Sequence, residues 1–374
     1  MLFRSMMVHS QFKENSMSKV NFKAQVTIHE AMNIIKEVGH ELTPIVVSEP
    51  GVGKSSILKM LEQDMGDAYD YIYVDCPVKD MSDIAMTIPN HQTQALEYYV
   101  SKLFKLDSPK PKVIMLDEMM KAPKLLQIIF TRLTLERTVG DEPLPKGSIV
   151  FATSNNSSDG VGDTMMAHAG NRVCILKMSK PDANTWLPWA SEHGVNKLIR
   201  AWVAMYPRAL HSYMDGGTED NPYIFNPKKA GQLSFVSPRS LAKASVIVDN
   251  RDALGENATL CALAGTVGES CARDMSAFLS LEKQLPDLNE VLKNPKTVKV
   301  PDEVAATLML MFQAIDALKT QDELSSFMEF VNRVASSEIQ AVFFTMLMRS
   351  ARTTKLARNN AQIADWAKNN HELF

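Results

Sequence analysis

The sequence predicts an α/β fold in which a parallel sheet is flanked by helices and followed by an all-helical region. Short apolar segments, rich in β-branched residues, alternate with segments of helical spacing as far as about residue 180. A glycine-rich turn, residues 48–55, follows the first of these apolar segments. Beyond Pro181 the strand pattern fades and helical spacing remains, so we expect the chain to change architecture near Lys180.

Five segments are predicted to be strands, and their apolar runs suit a parallel sheet that is covered on both faces. They are Ile45–Val47, Tyr71–Cys76, Lys112–Glu118, Gly147–Asn156 and Arg172–Met178. Four segments between these strands or before them have the apolar spacing of helices and are predicted to be helical: Val26–His40, Ser55–Leu61, Thr93–Leu106 and Ala122–Glu136. Ligands of such sheets bind at the carboxyl ends of the strands, so we expect the site there.

The second half of the chain is predicted to be helical apart from one long loop. The loop, Asp215–Gln232, is rich in glycine, proline and asparagine. The segments predicted to be helical are Thr185–Tyr206, Pro238–Val248, Ala258–Leu285, Glu303–Leu318 and Asp322–Met348.

The turn after the first strand reads S-E-P-G-V-G-K-S, from Ser48 to Ser55, and predicts a phosphate-binding loop. Gly51 and Gly53 permit the positive φ angles that turn successive N–H groups toward one anion. The dipole of the following helix favours the same anion. The residues expected to bind the nucleotide here are Glu49, Pro50, Gly51, Val52, Gly53, Lys54, Ser55 and Ser56.

Two side chains of this loop have predicted roles. Lys54 can reach the β- and γ-phosphates, and the Ser55 hydroxyl can ligate Mg²⁺. The usual pattern has glycine where this chain has Ser48. We interpret Ser48 as a small strand-end residue with no required side-chain contact, and an ordinary glycine turn is the alternative for the loop as a whole.

Two acids at the end of the third predicted strand complete the chemistry of a nucleotide site. Asp117 follows an apolar run and can hold Mg²⁺ through water, and Glu118 can orient and deprotonate the attacking water. Two solvated acids at a strand end are the alternative. Their position 63 residues after Lys54 favours a nucleoside-triphosphate site that uses ATP and Mg²⁺.

Three further polar residues are candidates for the same site. Asn155, which ends the fourth predicted strand, can hydrogen-bond the γ-phosphate or the water. Arg172, before the fifth strand, can face a neighbouring subunit as an arginine finger, or it can be an ordinary surface arginine. Arg239 follows Pro238 in the first turn of a helix, where a cation conflicts with the helix dipole, which indicates an external anion.

Composition argues against several other classes of function. The formal net charge is -3, which provides no overall basic field for nucleic acid. No stretch approaches the roughly 20 apolar residues of a membrane span. The four cysteines form no zinc pattern and suit reduced thiols, so we expect a cytoplasmic protein, in the host cytoplasm if a phage encodes it.

The motifs together resemble those of MoxR-type AAA+ ATPases. "SEPGVGKSS" is similar to Walker A and departs at Ser48; "IMLDE" resembles Walker B, "ATSNN" sensor 1, "GNR" the arginine-finger position and "SPRS" the sensor 2 helix. Family members commonly have proline where this chain has Asn156. The segment Leu133–Asn155 resembles the helix and hairpin before sensor 1, and the likeness covers roughly Val26 to Val300.

The resemblance implies a division of the chain and an assembly. We expect a disordered extension (1–25), an AAA+ P-loop domain (26–180), a helical lid (181–300) and a C-terminal helical extension (301–374). Proteins of this kind form rings, commonly hexamers, with ATP between subunits, so Arg172 would act on the neighbouring subunit's ATP. Many are paired with a von Willebrand factor A-domain protein and remodel protein partners as chaperones.

Three functions are compatible with these motifs. A Mg²⁺-dependent ring ATPase that remodels protein partners is the first, and a nucleic-acid motor or clamp loader on the same fold is the second. The low basicity favours the first, although the basic run Arg349–Asn360 is the best candidate contact for nucleic acid. A nucleotide-gated scaffold is the third, and it would not need Glu118, Asn155 and Arg172 together.

Overall fold

A computed structural model describes residues 25–92, 94–156, 172–229, 231–349, 351–358 and 360–369. The extension predicted at residues 1–25 lies outside these ranges except for Gln25. Within the described residues, no helix combines the length and the apolar character needed to cross a bilayer.

Five parallel strands form the sheet, and the predicted fold class is confirmed. Among the described residues, the strands are β1 Thr43–Ser48, β2 Asp70–Asp75, β3 Ala85–Asn90, β4 Ala95–Val100, β5 Lys112–Asp117, β6 Thr138–Val139, β7 Glu142–Pro143, β8 Ile149–Asn155 and β9 Val173–Lys177. The order in the sheet is β2-β5-β8-β1-β9, with every neighbouring pair parallel. The pairs β3–β4 and β6–β7 form two antiparallel hairpins.

Helices cover both faces of this sheet, as its apolar strands require. Helix α1, Ile28–Val38, begins at a capping box between Thr27 and Glu30. It shares one core with helix α2, Ser56–Met65. Helix α3, Lys124–Glu136, packs in the second core, on the opposite face. The predicted helices at these three places are therefore confirmed.

The helix predicted for Thr93–Leu106 is wrong, because this segment contributes strand β4 of a hairpin and then a 3₁₀ turn, Lys102–Phe104. Its apolar residues have helical spacing, but several of those on β4 remain exposed, with Leu96 at 69 %. Val100, Leu103 and Leu106 are partly buried against the core of the sheet, and Phe104 is fully buried in it. Pairing with β3 supplies the backbone hydrogen bonds that a helix would otherwise have supplied.

The region after the sheet is helical, as predicted, but three segments expected to be continuous each fold as two main helices. Gly194 and Gly268, both with positive φ, separate two of these pairs. The helices are Ala183–Glu192, Lys197–Met205, Pro238–Asp249, Arg251–Leu254, Glu256–Val267, Glu269–Ser280, Leu288–Lys293, Val304–Ala317, Gln321–Val331, Ser337–Arg349, Ala351–Ala357 and Ala361–Asn369.

One hydrophobic core runs through this whole helical region. It extends from Ala183 to Trp366 and is separate from the two cores on the faces of the sheet. Residues on both sides of position 300 share it. The division into a lid and a C-terminal extension therefore stays a prediction, and the pair packs as one helical layer beside the sheet.

Candidate functional site

The phosphate-binding loop has the backbone that the sequence predicts. Gly51 has a φ of 77° and Gly53 a φ of 105°. Within the described residues, none of the N–H groups from Gly51 to Ser55 has a hydrogen-bond acceptor. Unpaired N–H groups at the start of helix α2 form the kind of nest that binds an anion.

The start of the helix Pro238–Asp249 contacts this loop directly. The Arg239 N–H donates a hydrogen bond of 3.1 Å to the Gly51 carbonyl. A Cβ atom at position 51 would lie 2.6 Å from Ser237 Oγ. The loop therefore needs glycine at position 51 for two reasons, its backbone angle and the closeness of the helix.

Lys54 is buried beneath the loop and is held by four oxygens. Its Nζ lies 2.7 Å from Asn155 Oδ1, 3.2 Å from Ser48 Oγ, 3.2 Å from the Glu49 carbonyl and 3.5 Å from the Ser48 carbonyl. Burial lowers the pKa of Lys54 to about 8, against the opposing effect of the nearby Glu118 and Asp117. A phosphate would supply the negative charge that the buried ammonium lacks.

The Ser48 hydroxyl makes two hydrogen bonds that the sequence does not predict. Ser48 is only 2 % exposed, and its hydroxyl accepts from Lys54 and donates to the Glu49 carbonyl, both at 3.2 Å. Glycine at this position could not make either bond. That nucleotide binding does not require the Ser48 side chain stays a prediction.

Asp117 is held by a hydroxyl from the strand on each side of β5. Tyr73, on β2, donates to Oδ2 at 2.7 Å, and Thr153, on β8, donates to Oδ1. Thr153 Oγ1 also accepts from the Glu118 N–H at 3.2 Å. Sequence analysis missed both Tyr73 and Thr153, because only the strand register brings them to this carboxylate.

Glu118 has a left-handed backbone, with a φ of 52°, which is uncommon for a residue other than glycine. Lys121 Nζ lies 3.0 Å from Glu118 Oε2 and forms an ion pair with it. That oxygen is buried, and among the described residues no contact to it, including the ion pair, has the geometry of a hydrogen bond. An acid with a strained backbone at the wall of a cavity is typical of an active site.

These side chains meet around one cavity of about 130 Å³. Its lining contains most of the predicted site residues: Pro50, Gly51, Val52, Gly53, Lys54, Ser55, Asp117, Glu118, Asn155 and Arg239. The predicted convergence of the loop, the two acids, Asn155 and Arg239 at the carboxyl ends of the strands is what the structure shows. A larger cavity of about 650 Å³ lies in the helical region, between residues 283 and 306, and contains none of these residues.

Two residues of the predicted loop turn away from the cavity. The Glu49 side chain is buried and accepts a hydrogen bond from Ser212, in the helical region. Ser56 is already in the helix, where its hydroxyl donates to the Gly53 carbonyl at 2.6 Å. Neither lines the cavity, and their contact with nucleotide stays a prediction.

Arg172 lies far from the cavity of its own chain. It precedes β9 and is exposed, and the register pairs the next residue, Val173, with Thr43 at the start of β1. The phosphate-binding loop follows the other end of β1, roughly 17 Å away for five strand residues. The structure therefore does not bring Arg172 to the other site residues.

Residues suited to Mg²⁺ are present at the cavity. Ser55 offers an exposed hydroxyl that makes no capping bond to its helix, and Asp117 offers a carboxylate. Mg²⁺ prefers oxygen ligands and is commonly held by one or two protein groups together with water and phosphate. Among the described residues there is no cluster of three His, Cys, Asp or Glu side chains that could bind a metal. The donor set fits a metal that arrives with a nucleotide.

Comparison with known proteins gives only distant likenesses. No protein-family model and no curated protein matches the chain. A candidate ATPase from Cytophaga hutchinsonii is 18 % identical over 44 % of this chain and 50 % of its own, with a TM-score of 0.33. This chain therefore spans half the length of that protein.

Two other solved structures are similar at the same level. The RuvB Holliday junction branch migration motor of Thermotoga maritima is 13 % identical over 75 % of this chain and 78 % of its own, with a TM-score of 0.33. NtrX from Brucella abortus, in complex with ADP, is 11 % identical over 92 % and 68 %, again with a TM-score of 0.33. Likeness this distant carries no argument about the reaction.

Proposed function

We propose that the chain is a Mg²⁺-dependent ATPase of the MoxR-like AAA+ kind, which works as a ring and remodels or assembles protein partners. The observation that carries the proposal is the meeting of a phosphate-binding loop, a buried lysine and two adjacent acids around one cavity. A structural turn would not need an acid with a left-handed backbone, as Glu118 has, at the wall of the cavity. The motif resemblance supports the narrower, MoxR-like assignment.

Each residue at the cavity has a role in hydrolysis. The free N–H groups from Gly51 to Ser55 bind phosphate oxygens, and Lys54 neutralises the β- and γ-phosphates. Ser55 and Asp117 would hold Mg²⁺, which supplies positive charge for the developing charge on the phosphates.

Two further polar residues, Glu118 and Asn155, act on the attacking water. Glu118 orients this water and accepts its proton, and Asn155 fixes the water or the γ-phosphate. The Lys54 ammonium donates a hydrogen bond to Asn155 Oδ1, so these two groups are in contact without a bound phosphate. Arg239, exposed at the cavity wall, adds a cation from the helical region.

The ring proposal rests on the placement of Arg172. Because Arg172 lies at the opposite edge of the sheet, it can neutralise transition-state charge only at the site of another subunit. Mixing inactive Arg172→Ala with inactive Glu118→Gln should restore turnover, since mixed rings contain interfaces with both residues intact. Mixtures that co-assemble but stay inactive would remove Arg172 from the mechanism.

Two measurements can identify the client: the partners that a variant captures, and the molecules that stimulate ATP hydrolysis. The Glu118→Gln variant should hold ATP and capture protein partners, among them a von Willebrand factor A-domain protein if the MoxR-like assignment is right. Glu62→Gln, at an exposed position of helix α2, is the matched control that should capture nothing extra. Stimulation of the wild-type ATPase by DNA, with none by captured proteins, would favour a nucleic-acid motor and overturn the remodelling proposal.

A further inference from the structure

Tyr73 lies on the face of strand β2 from which a side chain can reach Asp117, the acid proposed to bind Mg²⁺. The register places Tyr73 beside Met115 on β5, and Asp117 follows Met115 by two residues. Side chains two residues apart in a strand point to the same face, and a diagonal neighbour is within reach of an aromatic side chain. The Tyr73 hydroxyl accordingly donates to Asp117 Oδ2 at 2.7 Å.

The same face leads to the start of helix α2. Met115 packs in the core that this helix shares with the sheet, and Ser55 immediately precedes the helix. Asp117 is therefore turned toward the other candidate metal ligand. Thr153 on β8 holds the second oxygen of Asp117, so hydroxyls from the two neighbouring strands fix the carboxylate from both sides.

The Asp117 carboxylate, although held by two hydroxyls, still has acceptor positions for a metal ion or its water. Each carboxylate oxygen has two acceptor positions, and the hydroxyl bonds of Tyr73 and Thr153 use one on each. One acceptor position on each oxygen of Asp117 therefore remains for a metal ion or for its water.

We propose that Tyr73 is a positioning residue for Mg²⁺, which orients Asp117 toward the metal that enters with ATP. The inference rests on the proposed ATPase function. Outer groups that orient metal ligands typically contribute 10- to 100-fold in metal affinity. Asp117 is expected to bind the metal through water, and Thr153 still holds Asp117 when the Tyr73 hydroxyl is absent. We therefore expect loss of that hydroxyl to lower metal affinity by the smaller end of this range, about tenfold.

The chain offers an isosteric variant and a matched control on one strand. Tyr73→Phe removes only the hydroxyl that contacts Asp117, and the ring lies at a position that is 44 % exposed, so little packing changes. Tyr71→Phe removes a hydroxyl from the same strand, one that donates to the Gly66 carbonyl at 2.9 Å, away from the cavity. Thermal unfolding of each variant establishes that it is folded.

The test measures binding of Mn²⁺, as a spectroscopic substitute for Mg²⁺, to the full chain in the presence of ADP, by electron paramagnetic resonance. ADP affinity is measured separately in EDTA. We expect Tyr73→Phe to weaken Mn²⁺ binding about tenfold, with metal-free ADP affinity unchanged, and Tyr71→Phe to match wild type in both.

Three results would overturn the inference. Unchanged Mn²⁺ affinity in Tyr73→Phe would make the contact with Asp117 purely structural. An equal loss of metal-free ADP affinity would mean that Tyr73 shapes the phosphate-binding loop and not the metal site. A wild-type chain that binds neither ADP nor Mn²⁺ with ADP would instead overturn the proposed function on which the inference rests.

Discussion

The substitution Gly51→Ala tests how the phosphate-binding loop is coupled to the helical region. At a φ of 77°, an alanine costs about 1–2 kcal/mol in backbone strain. Its Cβ would also lie 2.6 Å from Ser237 Oγ and 2.9 Å from Ser237 Cβ. Overpacking of this kind costs about 1–3 kcal/mol. The free energy of unfolding should therefore fall by about 2–5 kcal/mol in urea titrations followed by circular dichroism.

Gly147→Ala is the matched control for backbone strain alone. Gly147 has a φ of 84°, and no atom lies within 4 Å of a Cβ built there. This variant should lose only about 1–2 kcal/mol. Adding Ser237→Gly to Gly51→Ala should recover the overpacking part, because glycine at a helix N-cap costs only a few tenths of a kcal/mol. Equal losses for Gly51→Ala and Gly147→Ala, or no recovery in the double variant, would refute the reasoning.

Two other residues beneath the loop have measurable effects. Ser48→Gly should keep ADP binding but lower the free energy of unfolding by about 2 kcal/mol, through the lost hydrogen bond to Lys54 and the flexibility of glycine; an unchanged unfolding midpoint would contradict this. For Lys54, burial lowers the folded-state pKa to about 8 from 10.5. Between these pH values the unfolded chain binds more protons, so the Lys54 contribution to the free energy of unfolding rises with pH. Relative to Lys54→Met, wild type should therefore gain stability from pH 8 to pH 10, and parallel pH profiles for the two proteins would show that the burial argument is wrong.

Much of the site could be predicted because its residues come directly after strands. In a parallel sheet the carboxyl ends share one edge, so Lys54, Asp117 and Asn155 meet whatever the detailed packing. Arg239 could be predicted for a different reason, the electrostatic conflict of a cation at a helix N-terminus. In each case one local pattern fixes the position.

The contacts that the sequence does not predict depend on how two parts of the chain are placed relative to each other. Tyr73 reaches Asp117 only because of the strand register, which the alternating pattern of "YIYVD" does not determine. Lys121 pairs with Glu118 because the chain makes a 3₁₀ turn after β5, which composition does not indicate.

The error at Thr93–Leu106 has a related cause. The apolar residues of this segment are spaced as in a helix, but Leu96 and Tyr99 are exposed on a hairpin. Spacing alone does not separate a helix from a hairpin here, because it carries no information about the partner strand β3. The helices break near Gly194 and at Gly268, which have positive φ, whereas Gly265 lies within a helix, so glycine alone does not predict a break.

The central claim is that one cavity binds ATP through Lys54 and hydrolyses it through Glu118, and one comparison of variants tests it. Binding of ATP and the rate of phosphate release are measured for wild type, Lys54→Ala and Glu118→Gln at saturating Mg²⁺. We expect Lys54→Ala to lose affinity for ATP. We expect Glu118→Gln to keep ATP bound while turnover falls about 100-fold or more, the scale of general-base loss. Near-normal turnover in Glu118→Gln, or ATP affinity unchanged in Lys54→Ala, would contradict the central claim.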